Sequence, residues 1–600
     1  MDLYIEAEEW PIAAGLIGLT QLADENDIVI KQNGVLISKR SLQGLAEKYV
    51  YELINRYNIA ERDVSRMRWY ISLMKKNPDK TKQYASEIRK IMNDQLKKIN
   101  KYFSGVEQTK KIAEVVEQMK VIKNEEDIEK VEDLVNVYFE CASEKLINER
   151  LTLNYVKSMI LTPFFGQTSI LQRTFSSKNT EEHIVRIEED FIKPAMLELQ
   201  FVEYLTESKN TEEIINFLTE HREYEPFKQW VNKIKKLNSL EEIKLFFEKE
   251  VLPCSFIEGM PATQSYEEKI FTPLAFSREK ASNFYWDFDN KQPVPMSALA
   301  RLIIFLSPIG MAFYSRKIGN EQSSDLLFFA GLIMSQQSFN TIKNLNIHYQ
   351  KLRSKEGTTF GEAIVNVLQE YKDKAEKIKN SYLIIEVHSN YDSKKSLLDY
   401  YHMPVYLVEY LTEHGNSLKW LNHPDLRDLF LRQVMQGIDP VQVIFRYLRE
   451  AITNPLYGQG AYFAVRERKR ILKAKEGIED MQSQDKLINY IYFRGIELRD
   501  HLVKGRDEKP VEEGLYRASG RKKLEGIAYR LINATKARNK QAFMDTIFRL
   551  YLGTNLPVPS IFVDAFKEEG LDFETIASAF IAGMLSQESM KNQEEVQNNG

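Results

Sequence analysis

Apolar residues recur at three- and four-residue spacing over most of this chain, a pattern that predicts amphipathic helices. Residues 42–124 read as long helices broken at Asn77-Pro78-Asp79 and again at Ser104-Gly105, with Thr81 and Ser104 near helix starts. Helical spacing continues to about Lys157, returns over residues 180–250, and resumes at Leu326. In the last third, Ile488, Ile491, Gly495, Leu498 and Leu502 form one apolar seam, and Leu524, Ile527, Ala528, Leu531 and Thr535 form another. With residues 542–552 and 573–586 these seams predict a C-terminal helical bundle.

Elsewhere the pattern changes. Residues 4–22 are short and apolar, with Gly15 and Gly18 allowing close backbone packing. The β-branched runs Ile28-Val29-Ile30 and Val35-Leu36-Ile37 flank Lys31-Gln32-Asn33-Gly34, and Asn-Gly supplies the positive φ angles of a tight hairpin. Pro163, Gly166 and the small hydroxyl residues near them predict an ordered loop over residues 161–169. Six prolines between positions 253 and 308 predict an irregular insertion, and residues 382–387 fit either a strand or a buried helical turn. The Gln- and Asn-rich tail from Glu588 is expected to fray, and no repeat of solenoid period is visible. The expected fold is mainly α, with an α/β N-terminal region over residues 1–250 and the irregular insertion at 251–325. A helical middle region at 326–464 and the C-terminal helical bundle at 465–600 complete it.

Composition sets bounds. A chain of 600 residues, 43% hydrophobic and 28% charged, can build large cores, which excludes a disordered or fibrous class and suggests roughly three or four folding units. Two cysteines, Cys141 and Cys254, cannot make a disulfide framework, and no basic segment followed by an apolar run opens the chain. The longest apolar stretch, residues 302–313, is interrupted by Pro308 and is too short to span a bilayer. A cytoplasmic protein with no membrane partner is expected.

Charge is uneven beneath a net −4. Residues 61–123 hold 16 Lys and Arg against 8 Asp and Glu, and residues 465–549 hold 21 against 13. The compensating acid lies chiefly in residues 181–258 and near the C-terminus. Each basic window can meet phosphate or can be the solvated face of exposed helices.

Catalytic motifs are missing from the sequence. It contains no Gly-x-x-x-x-Gly-Lys-Ser/Thr loop, no Gly-x-Gly-x-x-Gly, no Gly-x-Ser-x-Gly and no His-Glu-x-x-His. The eight histidines are scattered and include no His-Asp pair. Neither catalysis nor a cofactor is expected.

Several blocks occur in an order that resembles a known family. Trp10-Pro11-Ile12-Ala13-Ala14-Gly15-Leu16-Ile17-Gly18-Leu19 resembles the opening of the large subunit of type I-B CRISPR Cascade complexes. Phe165-Gly166-Gln167-Thr168-Ser169 is similar to that family's Gly-x-x-Ser loop. Phe271-Thr272-Pro273-Leu274, Asn283-Phe284-Tyr285-Trp286 and Ser307-Pro308-Ile309-Gly310 resemble its middle block, and the basic helical C-terminus looks like the family's as well. One departure concerns metal. Many relatives carry two Cys-x-x-Cys pairs suited to a tetrahedral zinc, whereas this chain keeps only Cys254 there. No metal site is therefore expected, and Phe256, Phe276, Phe284, Trp286 and Met296 are the expected apolar replacements.

The resemblance implies a non-catalytic subunit that inspects a protospacer-adjacent motif in double-stranded DNA, while guide-RNA pairing reads the remainder. Its implied partners are the other Cascade subunits, the guide RNA, target DNA, and a helicase-nuclease recruited after R-loop opening. The candidates for motif reading are Lys31, Gln32, Asn33 and Gly34 at the hairpin, and Asn154, Gly166, Gln167, Thr168, Ser169, Arg173 and Lys178 around the loop. Lys39, Arg40, Arg66, Arg68, Lys97, Lys98, Lys110 and Lys111 are candidates for DNA phosphates or guide RNA. Arg521, Lys522, Lys523, Arg530, Lys536, Arg538 and Lys540 suit the displaced single strand.

Lys475-Glu476-Gly477 can be encoded by AAGGAGGG, a strong ribosome-binding sequence, and Met481 follows at a normal start distance. Residues 481–600 would then also be made as a separate small subunit, as several type I systems do. The rival reading is a helical scaffold that does not contact nucleic acid.

Overall fold

In the computed structural model, all residues are described except 1, 167, 267–270, 272–284, 288–291, 321–322, 355–357, 371–380, 391–394, 479–481, 508–519, 563–570 and 588–600. Strand β1 (Leu3–Glu6) buries Leu3 and Ile5 and exposes Tyr4 and Glu6, the alternation of a strand with one covered face. Strands β2 (Ile28–Ile30) and β3 (Gly34–Ile37) make the expected hairpin, and β1 pairs antiparallel with β3 in the order β1-β3-β2. The turn differs from the Asn-Gly expectation, because neither Asn33 nor Gly34 has a positive φ. Gly34 is a strand residue whose Cβ would lie 2.0 Å from the Ile5 carbonyl oxygen, so its missing side chain serves strand pairing.

Helix α1 (Trp10–Leu22) is buried at nearly every position. It packs on the Ala298–Phe305 helix and the Ser307–Gly310 turn so closely that a Cβ on Gly310 would fall 1.9 Å from the Ala14 carbonyl oxygen. Helix α2 (Leu45–Arg56) precedes the basic window, which forms α3 (Ile59–Lys76), α4 (Thr81–Phe103) and α5 (Glu107–Gln118), followed by α6 (Ile128–Ala142) and α7 (Lys145–Val156). Met67, Met74, Ile88, Met92, Ile99, Ile112, Val131 and Tyr138 lie in the shared core of α3 to α7. The breaks at Asn77-Pro78 and Ser104-Gly105 fall as expected. A further break at Tyr57-Asn58, where the Asn58 side chain accepts from Glu61 N–H, has no Pro or Gly to announce it.

Two expectations need correction. The loop expected over residues 161–169 begins only at Gly166, because a π-helical turn, Lys157–Leu161, carries α7 on to Phe165. Pro163 follows directly on the π turn, within the last helical segment Thr162–Phe165. The helix expected from Leu326 is instead strand. Strands β4 (Ala312–Asn320), β5 (Ser323–Ser335), β6 (Tyr382–Asn390) and β7 (Lys395–Met403) form a four-stranded sheet in the order β7-β6-β5-β4. In β5 the run from Phe329 to Ile333 is buried at every position, so it carries no period-two signal to separate it from a helix. Residues 382–387, open between two readings, are strand.

The chain forms two compact units, residues 1–332, 338–350 and 385–399 in the first, and 333–337, 351–384 and 400–600 in the second. In the second, the Phe573–Leu585 helix is buried at all but one position, and the helices Val441–Thr453, Leu456–Lys475, Gln482–Asp507 and Gly520–Lys536 pack on it. Ile488, Ile491, Leu498, Leu524, Ile527, Ala528, Leu531 and Thr535 are all buried, as the two seams require. Among the described residues, no helix is long and apolar enough to cross a membrane.

Candidate nucleic-acid interface

The Gly166 loop leaves an aromatic anchor. Phe165 lies 6.0 Å from Phe271 and 5.3 Å from Phe305, Phe164 lies 6.4 Å from Phe271, and Trp10 meets the Phe271 ring at 5.5 Å. Gly166 then adopts φ 62° and ψ −153°, a conformation open essentially to glycine alone. Three residues later Ser169 has φ 53°, the left-handed region that a side chain disfavours. Ser169 is buried and its hydroxyl has no partner, while the half-buried Thr168 hydroxyl bonds to the Phe165 carbonyl at 3.4 Å. Gln167 lies outside the described residues. Backbone strain and an unsatisfied hydroxyl within one short loop are costly, and such costs gather where a ligand is received.

Beneath the loop is a polar brace that sequence spacing did not announce. The Asn154 amide donates to the Ser176 carbonyl at 3.1 Å, and the Lys157 ammonium donates to the Phe175 carbonyl at 2.9 Å. Lys157 also faces His183 Nε2 at 2.9 Å, while His183 Nδ1 faces the Asn179 carbonyl at 2.6 Å. This arrangement puts the imidazole proton on Nδ1 and leaves Nε2 to accept from the ammonium. Burial, reinforced by the Lys157 charge, pushes His183 down to about 4, and burial pushes Lys157 down to about 8. Glu149 accepts from the Thr180 hydroxyl at 2.5 Å on the same helices. Asn154 is thus committed to holding the Arg173–Ser177 turn. Arg173 is exposed, and Lys178 pairs with Glu182 at 2.6 Å.

At the hairpin, Lys31, Gln32 and Asn33 are exposed on a turn pinned through its backbone. Lys31 N–H donates to the Gly34 carbonyl, Ala7 N–H to Asn33 and Phe339 N–H to Gln32, at 2.9, 2.8 and 2.7 Å. Three side chains are thus held out on a fixed turn, while Gly34 is buried within the sheet. Half-buried Lys39 and exposed Arg40 follow the opposite end of β3.

The two basic windows use their cations differently. On α3 to α5, Arg66, Arg68, Lys98 and Lys110 are exposed without an ion-pair partner. Lys97 meets Asp94 at 3.4 Å and Lys111 meets Glu107 at 2.8 Å, exposed pairs that contribute little. The tight connection between α4 and α5 brings Lys97, Lys98, Lys110 and Lys111 toward one end of the bundle. In the second window, Arg466, Arg468 and Arg470 turn inward. Arg468 makes two 2.6 Å bonds to Asp439 and a 3.0 Å bond to Asp572, and Arg470 reaches Asp485 at 2.5 Å. Of the residues suited to a displaced strand, Lys523, Arg530 and Lys536 on the Gly520–Lys536 helix are exposed without partners, and Lys522 is exposed beside them. Arg521 donates to the Ile452 carbonyl, Arg538 pairs with Glu574 at 2.5 Å, and Lys540 is half-buried.

Around Cys254 the sulfur accepts from Phe256 and Ser297 N–H at 3.4 and 3.2 Å. The Glu198 carboxylate accepts from Ala298 and Leu299 N–H at 2.8 and 3.0 Å, capping the Ala298–Phe305 helix. Full burial raises Glu198 to about 7 despite these bonds. Met296 is buried and Phe256 packs on Tyr266 at 5.5 Å, while Phe276, Phe284 and the Trp286 side chain lie outside what is described. Among the described residues, no group of three or more His, Cys, Asp or Glu is placed to hold a metal ion.

No protein-family model matches the chain, and no curated protein matches it.

Proposed function

We propose that this chain is the large subunit of a type I-B CRISPR Cascade complex that reads a short motif in duplex DNA and supports R-loop opening. One observation carries the reading: blocks of the resemblance that are far apart in sequence are neighbours in the fold. The opening helix α1 lies on the Ser307–Gly310 block, Phe271 touches both Trp10 and Phe164-Phe165, and the Gly166 loop leaves that core.

On this reading Gln167 and Thr168, with Lys31, Gln32 and Asn33, approach base edges, the buried Ser169 sets the loop's shape, and Arg173 and Lys178 hold phosphates. Gly34, Gly166 and Asn154 shape the surfaces from which those side chains act. Lys39, Arg40, Arg66, Arg68, Lys97, Lys98, Lys110 and Lys111 serve backbone contacts, and the Lys522, Lys523, Arg530 and Lys536 face serves the displaced strand. Bond breaking falls to a recruited helicase-nuclease. Residues 481–600 are also made separately from Met481; a short band that disappears when codon 481 is changed is the expected result, and no such band would end this part.

The deciding experiment compares assembled complexes carrying wild-type or Ala-substituted Asn33, Gln167, Thr168 and Ser169 on a randomised-motif library. Altered motif preference is expected. Unchanged preference would overturn the residue assignment, and a wild-type complex without any preference would overturn the function. The internal use of Arg466, Arg468 and Arg470 favours the rival scaffold reading, which salt-indifferent DNA binding would select.

A further inference from the structure

Helix α3 carries a feature that the motif reading leaves unused. Trp69 is 53% exposed, the largest apolar side chain so placed on the helices of the first basic window. Its indole is steadied from one side, since Tyr70 meets it edge-on at 4.9 Å and Tyr84 lies 6.2 Å beyond Tyr70. Both tyrosines pack against the helical core. The free side of the ring faces solvent.

Cations surround it. Arg66 and Lys76 stand three residues before and seven after Trp69, on the same helical face, and both are exposed without ion-pair partners. Next to this face runs a groove of about 340 Å³ between α3 and α6, lined by the buried side chains of Ile71 and Val135 and by Arg68, Ser72, Lys75 and Glu132 among others. Glu132 is neutralised by Lys75 at 2.6 Å, which leaves Arg68 as the unpaired charge of the groove. Isolated exposed apolar residues need no explanation. A supported indole between unpaired cations, beside a groove that carries Arg68, has the two parts of a single-strand site: a stacking face and a backbone track.

We propose that this surface binds single-stranded polynucleotide, with an unpaired base stacked on Trp69 and the adjoining backbone held by Arg66, Arg68 and Lys76. The occupant must be single-stranded, because bases within a duplex already stack on each other and offer no free face. The inference stands apart from motif reading at the Gly166 loop. Altered motif preference without Trp69 involvement, or the reverse, separates the two.

The test uses full-length protein carrying Lys523→Glu, Arg530→Glu and Lys536→Glu, which silences the other candidate strand surface. Short single-stranded RNA and DNA probes containing 5-iodouracil are photocrosslinked and the adducts mapped by mass spectrometry, alongside anisotropy titrations. An adduct at Trp69 is expected, with about tenfold weaker binding for Trp69→Ala and near-normal binding for Trp69→Phe. Arg66→Glu with Arg68→Glu should weaken binding and flatten its salt dependence. Tighter binding of the RNA or of the DNA probe identifies the strand served, and either supports the site. Adducts confined to other residues, no single-strand binding, Trp69→Ala binding at wild-type strength, or equal Trp69 dependence for a duplex probe would overturn it.

Discussion

Residues 61–123 and 465–549 have the same excess of basic over acidic residues, yet they spend it in different places. In the first window the cations line helix surfaces, and several have no partner. In the second, Arg466, Arg468 and Arg470 are drawn inside to meet Glu467, Asp439, Asp572 and Asp485. A helix that must bury both faces brings its charged positions into the interior, where only a paired charge is tolerable. Charge counted along a chain is therefore a poor measure of charge offered to a polyanion.

The strongest way to break this comparison is Arg468→Ala. It removes the buried guanidinium that the partly exposed Asp439 and Asp572 share, and a loss of about 3 kcal/mol is expected in urea unfolding. Arg68→Ala, from the first window, should stay within about 0.5 kcal/mol. Similar losses for both would mean that the two windows do not differ.

Next in size is the acid limb of stability, which asks whether the first unit also hides a charged interior. His183 titrates near 4 when folded and near 6.5 when unfolded, so the unfolded chain takes up its proton first as pH falls. Stability should drop between about pH 6.5 and 4 by at most roughly 3 kcal/mol, and His183→Gln should flatten that slope. Glu198 acts with the opposite sign. Its raised value favours the folded state at low pH, and that contribution is lost as pH rises from 4.5 to about 7. Glu198→Gln should remove this second slope alone, and unfolding free energies measured across pH separate the two.

A smaller effect, about 1–3 kcal/mol, is expected for Gly583→Ala, whose Cβ would lie 2.0 Å from the Tyr492 carbonyl oxygen at the helix crossing. A neutral result would show that the second unit's helices can move apart. Smallest is Ser169→Gly, which relieves the left-handed φ and should stabilise the first unit by about 0.5 kcal/mol while changing motif preference in the complex. Unchanged preference with the stability gain would leave the strain a matter of folding alone.

Much of the helical architecture was legible because amphipathic periodicity is a local consequence of which face must be covered. The seams at Ile488 and Leu524 and the breaks at Asn77 and Ser104 were readable for this reason. Strand β5 was not, because its central run is buried on both sides and alternation vanishes. For the candidate site, Gly166 and its neighbours were visible as a loop. The Lys157–His183 pair and the partnerless Ser169 hydroxyl were not, since nothing in their spacing distinguishes them from surface residues. Trp69 was hidden in the same way, because an exposed aromatic and a core aromatic occupy similar places in a helical pattern.

By itself the sequence determined that this chain is mainly helical, where most helices run, and that two stretches are rich in cations. Tertiary structure alone decided which of those cations reach solvent, which glycines permit backbones to touch, and that the Trp10, Gly166, Phe271 and Ser307 blocks share one core. Periodicity is written into neighbouring residues, whereas burial and charge pairing depend on partners brought together only when the whole chain folds.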